Sequence, residues 1–251
     1  MKPILVSIEL TNYCSKACTF GCYSKSTPEG QTFWTPDILV PFIKDLATNG
    51  IEAVSFGGGE PLQYPYLWDL LDRLKEVPIF KSMTTNGLNL TPEVVRRLSG
   101  ALNKVHVSLH YPERPAELSR VIRNVLELAQ AGLKSGVNFL IKGKDIEAEK
   151  AAVRAVKAAG LTADRVVFLP LRGKGIAVDM ATFKDVAGIL SPKFQSMFCL
   201  LECKKSERFV SINWEGRIGW CSYTEAKTRM KNYTYDGMLE ALHAKELVYC
   251  G

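Results

Sequence analysis

Cys14-Ser-Lys-Ala-Cys18-Thr-Phe-Gly-Cys22 follows closely on the apolar run Ile4-Leu-Val-Ser-Ile-Glu-Leu10. The run reads as a strand, and the chain leaves it into a segment rich in Thr, Asn, Ser and Gly. Three thiols within nine residues, released together from one strand end, have the character of ligands for one metal centre. Iron–sulfur clusters are held by thiolates at short spacings of this kind. With three protein ligands, a four-iron cluster keeps one iron open for a substrate or cofactor. Spacings of four residues also fit three thiols along one helix face, as a zinc site or as plain buried cysteines. A helix here would have to start inside Thr11-Asn12-Tyr13 and absorb Thr19 and Gly21, a poor run of helix formers.

Downstream, strand and helix signals alternate. Thr35-Pro36-Asp37 is a helix start, with Thr as N-cap, Pro in the first turn and an acid near the positive end of the dipole. That helix closes at Asn49-Gly50. Ala53–Phe56 is a short buried strand ending in Gly57-Gly58-Gly59-Glu60-Pro61, and Trp68–Lys75 is an amphipathic helix. Lys81–Met83 leads into Thr84-Thr85-Asn86-Gly87, and Thr91-Pro92-Glu93 opens a helix that ends at Gly100. Lys104–Leu109, Ser135–Ile141 and Arg165–Leu169 read as strands, with helices over Pro115–Ala131, Glu147–Ala159 and Ala181–Leu190. Six strand–helix units in series imply parallel strands with crossover helices, an α/β fold of the partial (βα)6, TIM-like barrel type. The polar and glycine-rich clusters all fall just after strands, and in parallel α/β barrels the C-terminal strand ends form the active face.

The 251 residues suffice for one large α/β domain, alone or with a small appendage. No apolar run approaches the roughly 20 residues of a membrane helix, since Glu9 breaks Ile4–Leu10. No small-residue cleavage site follows it, so a cytoplasmic protein with no membrane partner is expected. The seven cysteines are bunched as Cys14, Cys18, Cys22 and Cys199, Cys203, Cys221, Cys250, which favours metal over a secreted disulfide framework. The net charge of +6 is spread along the chain; it permits a nucleic-acid partner and does not indicate one.

Taken together, the cysteine loop, Phe20 near the third cysteine, the Gly-Gly-Glu turn and the polar strand ends resemble the radical S-adenosylmethionine (SAM) superfamily. The usual motif has cysteine spacings of three and two residues, and this chain has three and three, with Gly21 as the extra residue. The resemblance implies a [4Fe–4S] cluster on Cys14, Cys18 and Cys22 whose open iron chelates SAM. It implies that Gly57, Gly58, Gly59 and Glu60 hold the SAM methionine ammonium. Thr85, Asn86, Ser108, His110, Asn138, Leu169 and Arg172 fall where relatives contact the rest of SAM. Three of these have a plainer reading: an Asn-Gly turn at Asn86, a hydrogen-bonded structural His110, a solvated Arg172. His106, on the same strand face as Ser108, reads as a core residue, and His243 as a surface one.

The C-terminal part reads as two short strands, Phe209–Asn213 and Gly219–Cys221, around a turn at Trp214-Glu-Gly216. Cys203, Gly216 and Cys221 resemble the opening of the auxiliary-cluster (SPASM or twitch) domains of radical SAM enzymes. Residues 1–194 would be the barrel and 195–251 the auxiliary domain, with Cys199, Cys203, Cys221 and Cys250 holding a second [4Fe–4S] cluster or a structural zinc. The implied activity is reductive SAM cleavage to a 5′-deoxyadenosyl radical that abstracts hydrogen from a substrate C–H. The first cysteine at residue 14 leaves no room for an N-terminal peptide-recognition domain. That favours a small molecule such as a nucleoside or sugar derivative over a ribosomal peptide, with an electron donor such as flavodoxin or ferredoxin. Two other classes fit parts of the pattern: a non-catalytic zinc module, and an iron–sulfur protein that only transfers electrons or senses oxygen.

Overall fold

The computed structural model describes residues 2–20, 22, 25–171, 178–197, 206–243 and 247. The chain forms two compact units, Met1–Thr85 with Gly100–Asn103 and Lys205–Gly251, and Asn86–Ser99 with Lys104–Lys204. Helices and strands alternate through both, as the periodicity predicts, and the fold class is α/β with parallel strands.

In the first unit β1 (Leu5–Thr11), α1 (Pro36–Thr48), β2 (Ala53–Gly58), α2 (Leu67–Arg73) and β3 (Phe80–Thr85) follow in order. Strands β1, β2 and β3 pair in parallel. One face of this sheet is the core: Val6, Ile8, Leu10, Val54 and Phe56 are fully buried. Helix α1 closes over it with Leu39, Phe42, Ile43 and Leu46, the spacing of one helix face. Each such side chain contributes roughly 1.5–3 kcal/mol by leaving water.

The opposite face is polar, unlike the two apolar faces usual in parallel sheets. Ser7 lies opposite Ser55, and Ser55 opposite Ser82, so serines line up across the three strands. One step further along, Glu9 lies opposite Gly57.

The C-terminal strands join this same sheet. The hairpin expected over Phe209–Cys221 forms, as β8 (Phe209–Ile212) and β9 (Arg217–Gly219) paired antiparallel. Strand β8 also adds to β1 in parallel, placing Ser211 opposite Ser7 and extending the serine row to a fourth strand. That addition has no local signal, because it joins the two ends of the chain. A short β10 (Thr228–Arg229) and α7 (Tyr235–His243) complete the unit.

The second unit holds α3 (Pro92–Ser99), β4 (Lys104–Leu109), α4 (Pro115–Gln130), β5 (Lys134–Ile141), α5 (Ile146–Ala158), β6 (Val166–Pro170), α6 (Met180–Gly188) and a two-residue β7 (Gln195–Ser196). Strands β4 to β7 pair in parallel in sequence order. Val105, Val107, Val137, Phe139 and Phe168 are fully buried in its core, with Val121, Val125 and Leu128 of α4. The β7 strand lies beyond the expected elements; two residues carry no readable period.

Candidate functional site

The cysteine loop leaves β1 at Thr11 and is pinned back onto its own start. Asn12 N–H donates to Gln31 O (3.1 Å), Thr27 N–H to Asn12 O (2.9 Å) and Cys14 N–H to Thr27 O (3.0 Å). The loop then closes on the C-terminal strands: Phe33 N–H donates to Trp214 O (3.1 Å), and the fully buried Trp34 donates its indole N–H to Asn213 O (3.2 Å).

Cys14, Cys18 and Cys22 are half-buried, as is Cys221. Ala17 and Lys25 take left-handed φ values of 48° and 50°, so the chain turns sharply within and just beyond the thiol segment. The Cys22 Sγ is 3.3 Å from the Ser26 hydroxyl. Among the described residues no three His, Cys, Asp or Glu side chains gather closely enough to hold a metal ion. A cluster, unlike one ion, spreads its thiolates over several irons. Three soft thiols on an anchored loop fit that donor set. Phe20 is half-buried within the same loop.

The Gly57–Glu60 turn lies directly against the loop's root. Gly59 N–H donates to Thr11 O (2.6 Å) and Glu60 N–H to Tyr13 O (2.8 Å). A Cβ on Gly59 would lie 2.1 Å from Tyr13 O, and one on Gly58, at φ +113°, 2.4 Å from Thr11 O. Close approach to the cysteine loop therefore requires both glycines; strand β2 runs on through them as far as Gly58. Glu60 is buried, its Oε1 accepting from Leu62 N–H (3.1 Å) and from the Thr85 hydroxyl (2.7 Å). Thr85, at the end of β3, is buried as well.

In the second unit the expected residues again sit at strand ends. Asn86 is buried and forms the turn of its plainer reading, its Oδ1 accepting from Leu88 N–H (2.9 Å). Ser108 on β4 lies opposite Asn138 on β5. His106 shares their face, with Nδ1 2.8 Å from Asn138 Oδ1. Burial lowers the His106 pKa to about 4, so the ring is neutral, and its Nε2 is buried without a partner among the described residues. His106 is thus more than core filling, since it sets the Asn138 amide. A Cβ on Gly136 would lie 2.2 Å from Arg165 O and 2.8 Å from Nε2, so that mid-strand glycine makes room for the Arg165 backbone and for the ring. The His110 N–H and Tyr111 N–H donate to Glu117 Oε1 (2.8 and 3.2 Å), fixing the turn after β4. Glu149 does the same after β5, accepting from Lys142 N–H (2.8 Å) and Gly143 N–H (3.1 Å). In sequence both acids resemble ordinary helix-surface residues. Leu169 is half-buried on β6.

Arg172, Gly21, Cys199, Cys203 and Cys250 lie outside the described residues. The Cys221 Sγ accepts from Tyr223 N–H (3.4 Å), an acceptor role suited to a thiolate. Beside it is a cavity of about 260 Å³ lined by Glu9, Asn213, Trp214, Ser222, Thr224 and Lys227, among others. Sequence reasoning passed over Glu9 except as a break in an apolar run; a charge in the middle of a strand was the available signal.

The architecture is a parallel α/β protein with a thiol loop at the C-terminal end of its first strand and a glycine–glutamate turn packed on that loop's root. Residues 8–175 match the Radical SAM superfamily, and the chain belongs to that family. Its relatives are named enzymes. The AdoMet-dependent heme synthase of Methanosarcina barkeri is 26% identical over 200 residues, covering 75% of this chain and 57% of that protein. The GTP 3′,8-cyclase of Aquifex aeolicus is 30% identical over 159 residues, 57% of this chain and 49% of the cyclase. The chain thus spans about half the length of these curated relatives. Streptococcus suis SuiB, in its structure with the precursor peptide SuiA, superposes with a TM-score of 0.76 at 17% identity, over 99% of this chain and 66% of SuiB; that likeness concerns the fold. The family implies a [4Fe–4S] cluster and SAM. Among the described residues no helix is long and apolar enough to cross a membrane.

Proposed function

We propose that this chain is a radical SAM enzyme acting on a small polar substrate. The observation that carries the reading is the hydrogen-bonded contact of the glycine–glutamate turn with the root of the cysteine loop. It brings the turn assigned to SAM against the loop assigned to the cluster. Cys14, Cys18 and Cys22 would hold the [4Fe–4S] cluster, and Gly57–Glu60 and Thr85 the methionine end of SAM. Asn86, Ser108, His110, Asn138 and Leu169, with Arg172, are assigned to the remainder of SAM. When bound, cluster and SAM supply reductive SAM cleavage and hydrogen abstraction from a substrate C–H.

The chain's own part is to hold and orient. Glu60 keeps its carboxylate buried by accepting from Thr85 and Leu62, so the acid does not swing away when a cation approaches. His106 fixes the Asn138 amide for a hydroxyl contact. Residues 195–251 are assigned as an auxiliary segment in which Cys199, Cys203, Cys221 and Cys250 bind a second cluster, with a zinc ion as the other occupant. A small one-electron donor such as flavodoxin or ferredoxin would supply the electron. The test is anaerobic reconstitution followed by SAM and dithionite. Formation of 5′-deoxyadenosine, lost in Glu60→Gln or Cys18→Ala, is expected; a reconstituted protein that leaves SAM intact would contradict the reading.

A further inference from the structure

Outside the groups assigned to the cluster and SAM, the first unit contains a charged cavity of about 260 Å³. Its inner wall is Glu9 of β1, only 3% exposed. The Trp214 backbone N–H near the Glu9 carboxylate favours its ionised form. A carboxylate can accept about four hydrogen bonds. Facing the same cavity is Lys227, whose Nζ donates to Ser222 O (3.0 Å) and Thr224 O (2.7 Å). An ammonium has three donors, so the third has no protein acceptor among the described residues. The charges at the rim are matched: Lys25 pairs with Glu225 (3.1 Å) and Arg217 with Glu215 (3.8 Å). Among the described residues Glu9 and Lys227 form no ion pair with each other, although they share the cavity.

Keeping an acid and a base desolvated in one cavity without joining them is costly. The arrangement is complementary to a ligand that brings the opposite pair, a cationic or N–H group for Glu9 and an anion for Lys227. A nucleotide phosphate would face the Glu9 carboxylate, and the cavity is small against ligand pockets of about 300–1,000 Å³.

We propose that this cavity is the substrate-recognition site and takes an α-amino acid unit, with the amino group on Glu9 and the carboxylate on Lys227. The unit is a free amino acid or the end of a short peptide. This rests on the reading of the chain as an enzyme that transforms a bound substrate.

The test uses reconstituted protein saturated with SAM, so that amino and carboxylate groups cannot bind at the cluster iron. Ligand-observed NMR is run with the twenty proteinogenic amino acids and a set of dipeptides at about 1 mM. Each hit is compared with its N-acetyl and its carboxamide analogue. At least one zwitterion is expected to bind and to lose tenfold or more in affinity with either analogue. In Glu9→Gln the penalty for N-acetylation should vanish. In Lys227→Met the penalty for the carboxamide should vanish, and Lys227→Arg should restore it. Thermal melting confirms that each variant is folded. A free amino acid binding better than its dipeptides identifies the first source, and the reverse identifies the second. No zwitterion binding, or affinities indifferent to both residues, overturns the proposal. Adding dithionite to the same samples separates the two readings. SAM cleavage without zwitterion binding overturns this inference alone, and zwitterion binding without cleavage overturns the enzyme reading instead.

Discussion

Replacing Glu9 by Gln is expected to stabilise the fold increasingly as pH rises. Burial lifts the Glu9 pKa from 4.5 to about 7, with the Lys227 ammonium pulling it down. Below 4.5 the group is protonated in both folded and unfolded chains and costs nothing. Between 4.5 and 7 the unfolded chain releases its proton first, so stability falls as pH rises through this window and stays low above it. At about 1.4 kcal/mol per pH unit, the rise from 4.5 to about 7 makes the loss about 3.5 kcal/mol. Gln is nearly isosteric, so it removes the ionisation and little else. Urea unfolding of wild type and Glu9→Gln at pH 4, 6 and 8 reads this directly. The variant should equal wild type at pH 4 and exceed it by about 3.5 kcal/mol at pH 8. A variant that becomes less stable than wild type as pH rises would mean that Lys227 pairs with Glu9 and stabilises the carboxylate. That result would also remove the open acid from the proposed recognition site.

Three further outcomes are expected. Gly59→Ala sets a Cβ 2.1 Å from Tyr13 O; a stability loss of about 2–4 kcal/mol with poorer iron retention after reconstitution should follow, read by urea unfolding and iron assay. Thr85→Val removes one of the hydrogen bonds to the buried Glu60 carboxylate and should cost about 1–3 kcal/mol, with SAM affinity measured by calorimetry falling as well. Burial holds the His106 pKa down at about 4 from 6.5, so its neutral ring contributes fully above 6.5 and that contribution is lost as pH falls towards 4. The loss is about 3.5 kcal/mol, and in His106→Gln the difference from wild type should shrink in that window.

The alternation of elements was legible because helix caps, Gly stops and strand runs are local signals. Thr35-Pro36, Gly50 and Gly160 mark helix ends that the structure keeps. The glycine–glutamate turn was legible by position, though its glycines prove to serve contact with Thr11 and Tyr13 as the nearest constraint. What was not legible depends on pairing across the chain. Ser7, Ser55, Ser82 and Ser211 are isolated serines in apolar strands until the strand register aligns them. Glu9 and Lys227 come from opposite ends of the sequence and share a cavity because β8 adds to β1. Glu117 and Glu149 look like solvated helix acids, yet each folds back to satisfy strand-end N–H groups.

The central claim is that Cys14, Cys18 and Cys22 carry the radical-generating cluster. Iron and sulfide content of anaerobically reconstituted protein, beside the Cys14/Cys18/Cys22→Ala triple variant, tests it most directly. The variant is expected to hold about four irons fewer than wild type and to form no 5′-deoxyadenosine. A triple variant that keeps all its iron would show that the loop is not a cluster site.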